Sequence, residues 1–317
     1  MDKLEELQLA AQSIRTQIAK VVIGHHTAVD QLLVCLLSQG HVLLEGVPGV
    51  AKTLTAKLLA KTVGGVFKRI QFTPDLMPSD IVGTAVFNPK TLDFEYKKGP
   101  AYSNFLLIDE INRAPAKTQS ALFELMEEKQ ISMDGTTYLL DDPFMVIATQ
   151  NPVDQEGTYR LPDAQMDRFL MKITVGYPSL EEESALLLRF HQHTQQTLVQ
   201  EVEQVIRTAS LINLREVIQQ ISIDEKLLHL IVKMVHSTRH HKLLERGASP
   251  RATLALMQAA KAWAALSGRD FVLPEDLHAM AYPVWRHRLT LTPEAEMEGI
   301  PVNDVIKTLL SEVEIPR

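Results

Sequence analysis

Apolar residues recur at helical spacing over 1–20, with Leu4, Leu7, Ala11, Ile14 and Ile18 on one face, and predict an amphipathic helix packed on a core. The pattern breaks at Gly24 in Val21-Val22-Ile23-Gly24-His25-His26, and a second apolar helix is predicted over 27–38. Short apolar runs at 41–45, 66–72, 105–108 and 144–149 read as strands, the last two as buried parallel ones, alternating with helical segments at 54–62 and 119–128. Two hairpins interrupt this alternation. One pairs 84–87 with 93–96 around Asn88-Pro89-Lys90-Thr91, and the other pairs 130–133 with 136–139 around the two-residue turn Asp134-Gly135. From Pro178 onward strand signals stop, and helices are predicted over 180–192, 199–209, 224–237, 251–266 and 274–281. The expected fold is α/β, a core of 1–178 with hairpin insertions near 84–98 and 130–140, followed by a smaller all-α domain of 179–317.

Composition narrows the partners. The chain has 317 residues, 45% apolar and 22% charged, as ordinary globular proteins do, and a net charge of −7 disfavours sequence-blind binding to nucleic acid or anionic membrane. The lone Cys35 lies in an apolar run and reads as a small buried hydrophobe, with no disulfide to form. There is neither a secretory start nor an apolar stretch of the roughly 20 residues that spans a bilayer, so a cytoplasmic protein is expected.

The chemistry is densest at Gly46-Val47-Pro48-Gly49-Val50-Ala51-Lys52-Thr53, a Gly-rich turn between a strand and a helix that opens with Leu54 just beyond. Backbone N–H groups at such a turn converge on phosphate, Lys52 adds a mobile positive charge, and the Thr53 hydroxyl suits Mg²⁺. Ala51 stands where the usual pattern has Gly; it is expected to cost little if the backbone is already entering a right-handed helix. The turn at Ile23 and Gly24 offers a surface for a nucleotide base or is a plain interhelical turn. Phe105-Leu106-Leu107-Ile108-Asp109-Glu110 ends a buried strand in paired acids, Asp109 for the metal and Glu110 for the attacking water. Asn151, after the strand at 144–149, reaches a γ-phosphate or its water, or starts a turn before Pro152. Arg168 is either an ion-pair partner of Asp163 or Asp167 or a residue inserted into a neighbouring subunit's site. Arg251, just inside a helix begun by Ser249-Pro250, points to a phosphate or to water. His236 and His240 sit one turn apart but lack the Glu of a metalloprotease helix.

In order and spacing these segments resemble AAA+ ATPases, specifically the MoxR family, over nearly the whole chain. The resemblance makes Gly46 to Thr53 the Walker A loop, Leu106 to Glu110 Walker B, Ala148-Thr149-Gln150-Asn151-Pro152 sensor 1, Met166-Asp167-Arg168-Phe169 the arginine-finger region and Ser249-Pro250-Arg251 sensor 2. It implies ATP and Mg²⁺ as ligands, a homo-oligomeric ring, usually hexameric, and chaperone-like remodelling of client proteins, often ones with von Willebrand A domains. Rival readings are a magnesium-chelatase-like motor subunit, a nucleic-acid motor, a slowly turning nucleotide-gated scaffold and a P-loop kinase.

Overall fold

The computed structural model describes residues 2–133, 135–152, 159 and 161–313. Helices α1 (Lys3–Ala19) and α2 (His26–Leu37) lead into β1 (His41–Glu45), α3 (Lys52–Val63) and β2 (Phe67–Gln71). After α4 (Pro78–Val82) come the hairpin β3 (Gly83–Asn88) and β4 (Asp93–Lys98), then β5 (Phe105–Asp109) and α5 (Ala116–Glu128). A second hairpin, β6 (Gln130–Met133) and β7 (Thr136–Leu139), precedes β8 (Met145–Gln150), α6 (Asp163–Met166) and β9 (Phe169–Thr174). The remainder is mostly helical: α7 (Leu180–Gln192), α8 (Gln195–Glu201), α9 (Thr208–Gln220), α10 (Glu225–Thr238), β10 (Leu244–Arg246), α11 (Pro250–Leu266), α12 (Pro274–Trp285), β11 (Thr290–Leu291), α13 (Pro293–Met297) and α14 (Val302–Glu312).

Five strands form one parallel sheet in the order β2-β5-β8-β1-β9. Side chains alternate across a strand, so β1 sends Val42 and Leu44 to the face carrying α1, α2 and α3, and Leu43 to the face carrying α4 and α5. The first of these apolar clusters continues from α1 to α3 into α9 to α12 and α14, which ties the helical part to the core. All five strands run the same way, and the register pairs Glu45 with Gln150 and Gln71 with Asp109. Their C-terminal ends therefore meet along one edge, where ligands bind in open parallel sheets.

Both hairpins form where the pattern placed them, with Phe87 opposite Phe94 and Gln130 opposite Leu139. Of the expected tight turn, Asp134 lies outside the described residues; Gly135 has φ of +78°. The Tyr96 and Tyr138 rings stack at 4.8 Å, joining one hairpin to the other, while Phe87 and Phe94 meet edge to face on the exposed ribbon.

The helix expected over 199–209 is not there: α8 ends at Glu201 and α9 begins at Thr208. The Val205 and Ile206 N–H groups donate to the Thr62 carbonyl at the end of α3, at 2.7 and 3.1 Å, so tertiary pairing takes donors that a helix would need. The short β10–β11 ladder within the helical part also has no strand signal in the sequence.

Candidate active site

The loop between β1 and α3 is shaped by three residues. A Cβ on Gly46 would stand 2.4 Å from the Val175 carbonyl, so only glycine lets the chain leaving β9 pass this closely. Gly49 has φ of +90° and open space beside it. Ala51 corrects the expectation from sequence: its φ of 58° and ψ of 20° are left-handed, not right-handed, immediately before α3 starts at Lys52. A left-handed L-residue costs about 1–2 kcal/mol. The Ala51 carbonyl holds the conformation by accepting both the Thr55 N–H and the Thr55 hydroxyl, each at 2.9 Å.

Lys52 curls over this loop and donates to the Gly46 and Val47 carbonyls, the latter at 2.8 Å. Burial lowers its pKa, against the opposing pull of Asp109, Glu110 and Glu45. Asp109 is buried at the end of β5. Its Oδ1 accepts from the hydroxyls of Thr53 at 3.2 Å and Thr149 at 3.0 Å, and Arg69 Nε pairs with its Oδ2 at 2.5 Å. Glu110 is left-handed at φ of 57°, donates its N–H to the Thr149 hydroxyl at 3.1 Å, and pairs its carboxylate with Arg113 at 2.7 Å. Thr149 thus links the Asp109 carboxylate to the Glu110 backbone N–H.

Pro48, Gly49, Val50, Ala51, Lys52, Thr53 and Leu54 line one cleft of about 500 Å³ with Asp109, Glu110 and Asn151. The side-by-side Thr53 hydroxyl and Asp109 carboxylate are hard oxygen donors of the kind Mg²⁺ takes. Gly46, Val47, Ile23 and Gly24 are not among the residues that line it. Gly24, with φ of +93°, backs onto the Glu182 carboxylate of α7, whose atoms would lie 2.7 Å from a Cβ there.

Arg168 and Arg251 are not in this cleft. Phe169, next to Arg168, pairs with His41 at the start of β1, whereas the Gly-rich loop follows Glu45 at its end. The four residue steps from His41 to Glu45 put the two ends about 13 Å apart, beyond the reach of one arginine side chain. Neither Asp163 nor Asp167 pairs with Arg168. Asp163 pairs with Arg246, while Asp167 takes Arg288 Nε at 2.6 Å and the Ser249 hydroxyl at 2.8 Å. Arg168 instead pairs with Glu127 at 2.5 Å and donates to the Phe123 carbonyl at 2.7 Å, and Arg251 shares Glu127 at 2.8 Å.

Sequence reasoning missed Arg69, Arg113, Glu127 and three further residues lining the cleft, Lys57, Gln71 and Gln195. Of these pairings only Glu110 with Arg113, three residues apart, was within reach of local spacing. His236 and His240 have ring centroids 4.7 Å apart.

Known proteins fit the same frame. The family model for the ATPase family associated with various cellular activities (AAA) matches residues 41–171, and that for the AAA lid domain matches 236–309. Protein YeaC of Bacillus subtilis, itself uncharacterised, is 47% identical over 94% of this chain and 92% of its own. Chaperone MoxR1 of Mycobacterium tuberculosis is 44% identical over 95% of this chain and 81% of its own, and protein MoxR of Methylorubrum extorquens is 30% identical over 97% and 95%. A crystal structure of a candidate ATPase from Cytophaga hutchinsonii superposes with a TM-score of 0.92 at 44% identity, covering 99% of this chain and 97% of that one. With a parallel sheet, a phosphate-type loop, paired acids at the strand edge and a helical lid already in place, the chain belongs to the MoxR family of AAA+ ATPases and hydrolyses ATP.

Proposed function

We propose that this protein is a Mg²⁺-dependent, ring-forming motor that hydrolyses ATP at the boundary between two subunits and uses it to remodel or mature client proteins in the cytoplasm. One observation carries the composite site: loop, acids and Asn151 share a cleft at the C-terminal edge of the sheet, while Arg168 and Arg251 sit at the opposite edge. Arginines placed so far from their own cleft support a role at a neighbour's. The chaperone reading is supported by the name of MoxR1. A hexamer and a client with a von Willebrand A domain follow from the family resemblance. Among the described residues no helix is long and apolar enough to cross a membrane.

In this reading the core is 1–178 and the lid 179–317. Backbone N–H groups of 46–53 cradle the phosphates, and Ile23 and Gly24 border the base. Lys52 exchanges its bonds to the Gly46 and Val47 carbonyls for phosphate oxygens, so the loop is held open for a ligand by its own lysine. Thr53 and Asp109 would hold Mg²⁺, which when bound neutralises charge across the outer phosphates. Glu110 polarises the attacking water once its carboxylate leaves Arg113, and Asn151 orients it. Arg168 and Arg251 stabilise charge on the neighbour's transferring phosphoryl group; a finger of this kind is worth about 10³-fold or more in turnover. The test mixes Lys52→Ala subunits, with intact arginines, and Arg168→Ala subunits, with intact clefts. Restored ATP turnover is expected. Silence in a mixture shown to co-assemble counts against the shared site.

A further inference from the structure

Arg168 and Arg251 meet on one carboxylate of their own chain. Glu127, in the last turn of α5, pairs with Arg168 Nη1 through Oε2 at 2.5 Å and accepts Arg251 Nη2 on Oε1 at 2.8 Å. Each oxygen is taken by a different guanidinium. Two such cations aimed at one phosphate repel each other. The buried Arg288 lies close enough that, after burial itself, the Arg251 charge also lowers its pKa, against the opposing pull of Asp167. A carboxylate between them offsets that repulsion, and each five-donor guanidinium has N–H groups beyond those used on Glu127 and, for Arg168, on the Phe123 carbonyl.

The backbone that carries the arginines is fixed by other groups. Asp167 binds Ser249 and Arg288, and Asp163 binds Arg246, so the segment before β9 is fastened to the start of α11 without Glu127. Glu127 therefore acts on the two side-chain heads, not on their mounting. We propose that Glu127 is a positioning residue that holds Arg168 and Arg251 as a pair and presents both to the nucleotide of the adjoining subunit. This rests on the shared-site reading above.

The experiment separates the two ideas with two donors and one acceptor. The acceptor is Arg168→Ala, with its cleft intact. One donor is Lys52→Ala, and the other is Lys52→Ala with Glu127→Gln. The first donor should restore ATP turnover to the acceptor. The second should restore at least about tenfold less, in the range that a slightly misplaced catalytic group costs. The loss should fall on kcat with the KM for ATP unchanged, and Glu127→Gln alone should bind a fluorescent ATP analogue as tightly as the unaltered chain. Both donors should melt at the same temperature. If the Gln donor melts below the assay temperature, Glu127→Asp replaces it, since that side chain keeps the charge but is too short to span both guanidiniums. Equal restoration by the two donors, or a loss confined to KM, overturns the role of Glu127. Silence from both donors overturns the shared-site reading and this proposal with it.

Discussion

Acid should loosen this protein through His41, at the first position of β1. The ring is buried, with Nε2 at 3.0 Å from the Met126 carbonyl and Nδ1 at 2.9 Å from the Val146 N–H. These partners select the neutral tautomer with its proton on Nε2, since a second proton on Nδ1 would face another donor. Burial is the main cause that lowers the His41 pKa from 6.5 to about 4; the bond to Met126 opposes it and the charge of Lys129 assists it. The unfolded chain thus gains this proton at higher pH than the folded one. The stabilisation is complete above the unfolded value and is lost as pH falls toward and through the folded one. Integrating the difference gives a loss of about 2 kcal/mol between about pH 7.5 and about pH 5, and about 3 kcal/mol once both states are protonated. His287, buried and also held well below 6.5, acts in the same direction, so the total pH dependence does not isolate His41. Urea denaturation at the two pH values, on the unaltered chain and on His41→Gln, does. The variant should lose about 2 kcal/mol less over the interval. Equal losses in the two proteins would refute the assignment of the neutral, doubly bonded ring.

Ala51→Gly should raise stability by up to about 1 kcal/mol, because relief of the left-handed Cβ outweighs the extra freedom of glycine in the unfolded chain; a lower denaturation midpoint would contradict the backbone geometry. Asp167→Ala removes the carboxylate facing the buried Arg288 guanidinium and the Ser249 hydroxyl, and should cost about 3–5 kcal/mol in thermal or chemical melts. Glu110→Gln should keep nucleotide binding while turnover falls by about 10²-fold or more, measured by single-turnover hydrolysis beside analogue binding. Phe94→Ser, on the exposed ribbon at 67% exposure, should change stability by under about 0.5 kcal/mol, and a larger loss would mean that Phe87 and Phe94 are a packing contact rather than a surface one.

The parts of the site that were legible in the sequence are those whose chemistry is local. A strand, a Gly-rich turn and a helix are contiguous, and so are four apolar residues ending in Asp109 and Glu110; pattern and chemistry therefore coincide at 41–62 and 105–110. The hairpins were legible because alternation and turn residues are also local. What escaped depends on the far end of a contact. Residues 199–209 carry helical composition, yet Thr62 draws Val205 and Ile206 out of it. Ala51 looked harmless because its identity says nothing of its φ. Arg168 had acids one and five residues away and chose Glu127, 41 positions earlier in the chain (168 − 127), because α5 and the start of β9 meet at that point.

The stack of Tyr96 on Tyr138 changes what the two hairpins are mechanically. A two-stranded ribbon in water is marginal by itself, and β3–β4 and β6–β7 each hang from the core at one end. Joined ring to ring, they become two supports of a single truss, so a load on the exposed Phe87 and Phe94 edge is shared by the roots of both ribbons. Those roots lead into β5 and β8, the strands that end at Asp109 and Gln150. The junction, and neither ribbon alone, thereby couples both hairpins to both of those strands.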